Sequence, residues 1–199
     1  KVNRDDQLVS TWNINTQSVV VVDSVNEAIG DDNELTYLIQ GYANGQSVSY
    51  YTVDMNVGEM FNTYWSAQSS KSKVSELSKG DVIRVAVNSS NKVYTVDILS
   101  CVCDFKNYAV GYGGSEYEYI KTTVGPVWKN YDNKTLRLIG EEEKVYRIPN
   151  TVYLCDLRNN TVSAVGKGVY INDSDTDNPD YVFIRKRRGE ATEMVIYRW

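Results

Sequence analysis

The sequence of 199 residues contains no histidine. Without imidazole, the chain cannot build a Ser–His–Asp triad or a Cys–His nucleophile pair. It also cannot offer histidine ligands to zinc or use a histidine-based pH switch. This single absence excludes much of the usual hydrolase and metalloenzyme chemistry.

Cysteine is scarce, and its count is odd. Three cysteines are too few for a disulfide-stabilised scaffold. Cys101 and Cys103 stand two residues apart, so in a strand their side chains would share one face. Three interpretations remain open: small buried side chains, a disulfide from one of this pair to Cys155, or a metal or catalytic role.

Long apolar runs are missing as well. No stretch approaches the roughly 18 apolar residues that a membrane-spanning helix needs, so we expect no membrane insertion. The longest block of β-branched residues, Val19–Val22, predicts one buried strand. The chain has no initiator methionine, and Lys1–Arg4 does not resemble a signal peptide. We therefore expect an excised piece or a processed chain.

Positive charge is not in excess. The chain has 21 Lys and Arg against 26 Asp and Glu, which gives a formal net charge of −5. Because nucleic-acid binding normally requires a net basic face, we expect no nucleic-acid partner. At 42% hydrophobic residues, the chain can still bury a core.

The pattern of the sequence is that of β-strands. Short runs of Val, Ile, Tyr and Thr alternate with polar residues and are separated by turn signals such as Ala43-Asn44-Gly45 and Arg188-Gly189-Glu190. Two β-hairpins are predicted, one over residues 83–99 and one over 181–198. The best helical signal is a stretch of one or two turns over Val74–Gly80, ending at the glycine.

Segments of the first half recur in the same order about 100 residues later, which is half the length of the chain. Such self-similarity indicates an internal duplication. The matching pairs are Leu35–Gly41 with Leu136–Gly140, Gly80–Val85 with Pro179–Ile184, and Tyr94–Ile98 with Glu193–Tyr197.

These patterns predict an all-β chain. We expect two tandem small antiparallel β-barrel or sandwich domains of similar fold, one over residues 1–102 and one over residues 103–199.

Leu77-Ser-Lys-Gly80-Asp81-Val82-Ile83-Arg-Val85 and the following Lys92–Ile98 form a strand, a turn and a second strand. This pattern resembles small β modules of secreted bacterial surface proteins, which are large proteins of Gram-positive anaerobes that often carry S-layer homology domains. The second half departs from it, with Pro179 in place of the glycine and an acidic stretch before it. The resemblance implies an extracellular, repeat-built scaffold or adhesion segment at the cell surface, and it implies no active-site residues.

Alternating carboxylates precede the last predicted hairpin. Oxygen ligands of this kind suit Ca²⁺, although an EF-hand is excluded because Asn178 and Ile184 stand where its glycine and its bidentate glutamate belong. The alternative is a solvated acidic loop with an Asx-type turn. The candidate Ca²⁺ ligands are Asp173, Asp175, Asp177 and Asp180.

Two further groups are candidate contact residues. Arg185 and Arg187 would share one face of the last hairpin, where they could bind phosphate-bearing wall polymers or an acidic partner. The alternative is a charged hairpin tip that blocks aggregation. Aromatic rings near the start of the second half could stack on sugars, or could simply be favoured strand residues. The aromatic candidates are Tyr112, Tyr117, Tyr119 and Trp128.

We expect a non-catalytic extracellular structural or adhesive module, a spacer or scaffold segment that contacts neighbouring domains of a larger chain. One alternative is a module that binds carbohydrate or a cell-wall polymer, and another is a structural protein of a virion or phage. A hydrolase would need two carboxyl groups in environments that separate their pKa values, which nothing in the sequence indicates. No cofactor is expected apart from the Ca²⁺ considered above.

Overall fold

The structure is a computed structural model that describes residues 17–59, 71, 73–103 and 120–199. Strands make up 59% of it, and the described residues form no α-helix. The prediction of an all-β chain is therefore confirmed. None of the described helices is long and apolar enough to cross a membrane.

The first sheet contains five strands, in the spatial order β3-β2-β1-β4-β5. All four neighbouring pairs are antiparallel. Two short 3-10 helices, Met55–Glu59 and Val74–Glu76, lie in the connection between β3 and β4. The strands are β1 (Gln17–Ile29), β2 (Leu35–Ala43), β3 (Gln46–Tyr51), β4 (Val82–Val87) and β5 (Val93–Ser100).

The second sheet contains seven strands, in the order β10-β9-β12-β11-β6-β7-β8. Its pairs are antiparallel apart from β9 with β12, which run parallel. The strands are β6 (Ile120–Tyr131), β7 (Thr135–Leu138), β8 (Glu141–Arg147), β9 (Thr151–Asp156), β10 (Thr161–Ala164), β11 (Tyr181–Arg187) and β12 (Glu190–Arg198).

The strand order of the first sheet recurs in the second as β8-β7-β6-β11-β12, with the β9–β10 hairpin added beside β12. Local details recur as well. The pairing of β1 with β2 shifts register after Val22, and the pairing of β6 with β7 shifts after Val127. The Val22 amide donates to the Asp81 carbonyl at 2.8 Å, and the Val127 amide donates to the Asp180 carbonyl at 2.9 Å. Val22 and Val127 are therefore equivalent positions, as are Asp81 and Asp180.

Each sheet has its own hydrophobic core on one face. Val20, Ile39 and Ile83 belong to the core of the first sheet, and Leu138 and Ile184 belong to the core of the second. Side chains alternate along β1, so Val20 and Val22 face this core while Val19 and Val21 face the opposite side. All four are buried, as the sequence predicted.

A third core lies between the two sheets. It contains Val19 and Val82 of the first sheet, packed with Val124 and Phe183 of the second. Equivalent positions meet here: Val19 corresponds to Val124 and Val82 to Tyr181, and the strand pairing aligns Leu99 with Tyr197, one residue away from the match of Ile98 with Tyr197 in the sequence. The two sheets therefore bury the same face of the shared strand pattern against each other, and the β9–β10 hairpin adds Tyr153, Cys155 and Val162.

The sheets are open, so the barrel form of the prediction is wrong. In the described part of the first half, one bridge between Thr52 and Val93 links the chain after β3 to the start of β5. Closure of this sheet into a barrel would require its two edge strands, β3 and β5, to pair along their length. The predicted helical stretch is also shorter than expected, because Leu77 is already extended and Gly80 lies in a turn with φ +89°.

Gly80 lies in close contact with the second sheet. Its carbonyl accepts a hydrogen bond from Tyr197 Oη at 2.8 Å. A Cβ atom at this position would lie 2.6 Å from Cys155 Sγ and 3.0 Å from Val102 Cγ2. A second inter-sheet hydrogen bond runs from the Gly45 amide to Tyr153 Oη at 2.9 Å. Gly80 is therefore required both for its backbone conformation and for its lack of a side chain.

We expect Gly80→Ala to destabilise the protein more than Gly189→Ala. Both glycines have positive φ, +89° and +85°, but nothing lies within 4 Å of a Cβ at Gly189. Backbone strain costs about 1–2 kcal/mol in both variants, and the clash at Gly80 adds about 1–3 kcal/mol. Urea unfolding measures the difference, and equal losses would contradict the close packing at Gly80.

Candidate functional site

The predicted acidic loop is fixed onto β6 by hydrogen bonds. Asp173 is buried, and its Oδ2 accepts from the Asn130 amide at 2.9 Å while its Oδ1 accepts from the Asp175 amide at 3.2 Å. Ser174 donates from both its amide and its hydroxyl to the Trp128 carbonyl. The Asx-type turn that the sequence offered as the alternative is therefore present at Asp173.

Asp180 is 1% exposed and holds the start of β11 to the end of β12. Arg198 donates to both carboxylate oxygens, from Nε at 3.0 Å and from Nη2 at 2.7 Å, and the Asn172 amide donates at 2.9 Å. The hydrogen bond to Asp180 raises the pKa of Arg198 above its usual value. This paired, two-point geometry is the strong form of a carboxylate–guanidinium contact.

The same buried aspartate occurs in the first half. Asp81 is fully buried, and its Oδ2 accepts from Lys71 Nζ at 2.6 Å and from the Ser78 amide at 2.8 Å. Its Oδ1 accepts from the Val102 amide at 3.0 Å. Burial is the largest single influence on Lys71 and tends to lower its pKa, but the hydrogen bond and the charge of Asp81, with smaller contributions from Cys101 and Cys103, together raise the pKa of this lysine. Asp81 and Asp180 thus have the same structural role: each is a buried carboxylate that precedes an equivalent strand and binds a cation and a backbone amide.

The four predicted Ca²⁺ ligands are therefore engaged in different ways. Lys129 Nζ contacts Asp175 and lies 3.7 Å from Asp173, while Asp177 is exposed. The carboxylate of Asp180 is directed to Arg198. Among the described residues, no group of three or more His, Cys, Asp or Glu side chains could hold a metal ion. Ca²⁺ binding stays a prediction.

The predicted basic contact residues separate along the hairpin. Arg185 Nη1 donates to Glu193 Oε2 at 2.7 Å, so this guanidinium holds β11 to β12. Lys186 donates to Thr123 Oγ1 at 2.7 Å and lies 5.3 Å from the ring centroid of Tyr146. Arg187 and Arg188 are exposed at the tip. Arg185 and Arg187 therefore do not form one exposed basic surface, because the Arg185 side chain is bound to Glu193.

Of the predicted aromatic contacts, only Trp128 can be placed. It is 37% exposed, at the register shift of β6 and beside the acidic loop. Tyr112, Tyr117 and Tyr119 lie outside the described residues. Tyr131 and Tyr170 are also exposed, and the Arg137 guanidinium lies 5.7 Å from the ring centroid of Tyr131.

A buried ion pair between β4 and β5 was not predicted from the sequence. Arg84 Nε donates to Asp97 Oδ2 at 2.8 Å, and both residues are buried. The signal was present, because strand alternation puts Arg84 on the same face as Val82, which packs against the other sheet. A charge at such a position needs a partner, and Asp97 stands directly opposite it.

The three cysteines form no disulfide in the structure, so the predicted alternative of a bond from Cys101 or Cys103 to Cys155 is not formed. Cys101 and Cys155 are buried in different cores, and Cys103 is exposed. Burial raises the pKa of the Cys155 thiol to about 12. The thiolate is the reactive form, so Cys155 has the properties of a small packing residue rather than of a nucleophile.

Glu141 and Glu142, at the start of β8, do not have the properties of a general acid. Burial tends to raise the pKa of Glu141, but hydrogen bonds from Lys144 and Tyr146 outweigh it, so this pKa is lowered. The hydrogen bond from the Gly140 amide lowers the pKa of Glu142 as well. A general acid at neutral pH requires a raised value.

Comparison of the chain with protein-family models, with curated proteins and with solved structures found no match.

We expect Asp81→Asn and Asp180→Asn each to lower the free energy of unfolding by about 3 kcal/mol, because each leaves a partly buried cation without its carboxylate. Asp175→Asn is the control, since that carboxylate is 69% exposed and its pair is worth at most about 1 kcal/mol. Urea unfolding of the three variants measures these values. A loss at Asp180 no larger than that at Asp175 would contradict the structural role.

Proposed function

We propose that the chain is a non-catalytic spacer segment of a larger extracellular bacterial surface protein, built from two copies of one β unit. The recurring strand order, the recurring register shift and the equivalent Asp81 and Asp180 support the duplication. The division of the described strands supports two units of residues 1–102 and 103–199, since β5 ends at Ser100 and β6 begins at Ile120.

The observation that carries the proposal is that the first and the last described strands of the chain both lie in the interior of their sheets. The first described strand, β1, lies between β2 and β4, and the last, β12, lies between β11 and β9. Inter-strand hydrogen bonds run perpendicular to antiparallel strands and slanted between parallel ones. A pull directed along the strands therefore loads many bonds at once: on β1, the ladder with β4 over residues 17–21 and then the ladder with β2 over residues 21–29, and on β12, the ladders with β11 and β9 on its two sides. This is the arrangement that a load-bearing spacer requires.

The shared core adds to this resistance. Tyr197 of β12 contacts Gly80, and Val19 and Val21 of β1 pack into the same cluster as Tyr197. The two strands that take the load are thus packed in one core. The five buried carboxylates of the described residues all hold strands and loops in place: Asp81, Asp97, Asp173, Asp180 and Glu193.

We expect one rupture event when the full chain is stretched between its ends in a single-molecule pulling experiment. Each half, with about 100 residues, would add about 340 Å of extended chain, so joint rupture is easily told from two separate steps. Val21→Ala weakens the shared core and is expected to split the event in two. Val20→Ala is the matched control, because its side chain lies in the core of the first sheet alone.

Two separate steps in the wild-type chain, or extension without a measurable force peak, would overturn the spacer proposal.

The second candidate function is binding of a cell-wall polymer, and exposed Trp128 beside the acidic loop favours it. A spacer predicts that the chain is not retained on purified cell-wall sacculi or on a glycan array. Retention that Trp128→Ala abolishes would favour the binding module instead. Tyr94→Ala is the control, since Tyr94 is an equally exposed aromatic residue of the first sheet, at 41%.

A further inference from the structure

Asn44 and Gly45 form the turn between β2 and β3, and they are the only Asn-Gly pair in the sequence. Their φ values of 51° and 79° are those of a two-residue type I′ turn, which joins Ala43 to its partner Gln46. Both turn residues are exposed, so water reaches the Asn44 carboxamide and the peptide group beside it. Among the described residues, none forms a hydrogen bond with the Asn44 side chain. The carboxamide is therefore free to react.

The reaction open to such a pair is deamidation. The Gly45 nitrogen attacks Asn44 Cγ and loses its proton, and the side-chain nitrogen leaves as ammonia, which closes a cyclic succinimide. Water then opens the ring at either of its carbonyl carbons. The products are aspartate and isoaspartate, and in isoaspartate the main chain runs through Cβ and Cγ. Water is consumed and ammonia is released, so the reaction needs no oxidant, cofactor or further protein.

The glycine distinguishes Asn44 from the other asparagines in turns. A side chain on the following residue hinders the approach of that residue's nitrogen to Cγ, and glycine has no side chain. Five asparagines of the described residues have positive φ, and Asn44 alone precedes a glycine. The other four are Asn33, Asn91, Asn133 and Asn160, which precede Glu34, Lys92, Lys134 and Thr161.

The attacking nitrogen is held by the second half of the chain. The Gly45 amide donates to Tyr153 Oη at 2.9 Å, and Tyr153 is 1% exposed in the third core. The ring of Tyr42 packs on the same tyrosine, with the ring centroids 6.3 Å apart. Attack on Cγ requires the peptide group between Asn44 and Gly45 to rotate out of its orientation in the turn. This rotation breaks the hydrogen bond to Tyr153.

We propose that Asn44 is a deamidation site whose rate is controlled by the contact of its turn with Tyr153. While the two halves are packed together, the Gly45 nitrogen is held in the hydrogen bond, and when they separate it is released to react. Isoaspartate lengthens the main chain of a two-residue turn and adds a negative charge, so the product does not restore the contact. The site thus converts a reversible separation of the halves into a permanent chemical change. The proposal does not depend on the proposed function.

Incubation of the folded full chain at mildly alkaline pH, followed by peptide mass mapping, measures the rate at which Asn44 is converted. Tyr153→Phe keeps the ring and removes the acceptor of the Gly45 amide. We expect conversion in this variant to be about two- to tenfold faster than in the wild type, which is the Boltzmann factor of one hydrogen bond. Asn44→Gly tolerates the same positive φ and has no carboxamide, so its map identifies the converted residue.

Tyr197→Phe is the matched control. It removes the other hydrogen bond between the two sheets, from Tyr197 Oη to the Gly80 carbonyl, and leaves the contact of Gly45 with Tyr153 in place. We expect this variant to convert Asn44 at the wild-type rate. In urea, where the contact is lost, we expect the wild type and both phenylalanine variants to convert at one common and faster rate.

Three outcomes would overturn the proposal. The first is an equal rate in the folded wild type and in Tyr153→Phe, which includes the absence of conversion in both. The second is an equal acceleration in Tyr153→Phe and Tyr197→Phe, which would assign the effect to general destabilisation. The third is a rate in the folded wild type that is no lower than its rate in urea.

Discussion

Both faces of the central strands must be covered, and most of the structure follows from this requirement. β1 carries valines on both sides, Val20 and Val22 toward the core of its own sheet and Val19 and Val21 toward the other sheet. In the second half, Phe183 and Val195 likewise face the other sheet, while the residues next to them in the strands face the core of their own sheet. Among the described residues, the loops of each half cover one face of its sheet, and the other face is buried against the opposite half. The hydrophobic contribution of the third core is therefore available only when both halves are folded.

Buried ion pairs hold the strands of each half in register. Asp81 and Asp180 join the start of one strand to distant parts of the same half, through Lys71 and Arg198. Arg84 with Asp97 and Arg185 with Glu193 hold the last two strands of each half together on the side that faces the other sheet. Such pairs add little net stability compared with apolar residues of the same size. Their effect is on register, because a shifted strand would leave a charge buried without a partner.

The sequence predicted what depends on local pattern. Alternation and turn signals identified the all-β class, the hairpins around Ser89–Asn91 and Arg188–Gly189, and the correspondence of Asp81 with Asp180. It could not predict what depends on distant partners. Asp180 contacts Arg198 and Arg185 contacts Glu193, and the local alternation of charged residues carries no information about either pairing. The parallel pairing of β9 with β12 was missed because it joins strands that are far apart in the sequence.

The contact between the two sheets uses corresponding positions from both, Val19 with Val124, Val82 with Tyr181 and Leu99 with Tyr197. A surface that recognises its own counterpart is isologous and closes on itself after two members. Stacking through this surface therefore ends with the pair: a third unit of the same kind would find it already occupied. In a longer array of such units, packing through this face would join the units two by two. If the number of units were odd, one of them would remain unpaired and would expose an apolar face.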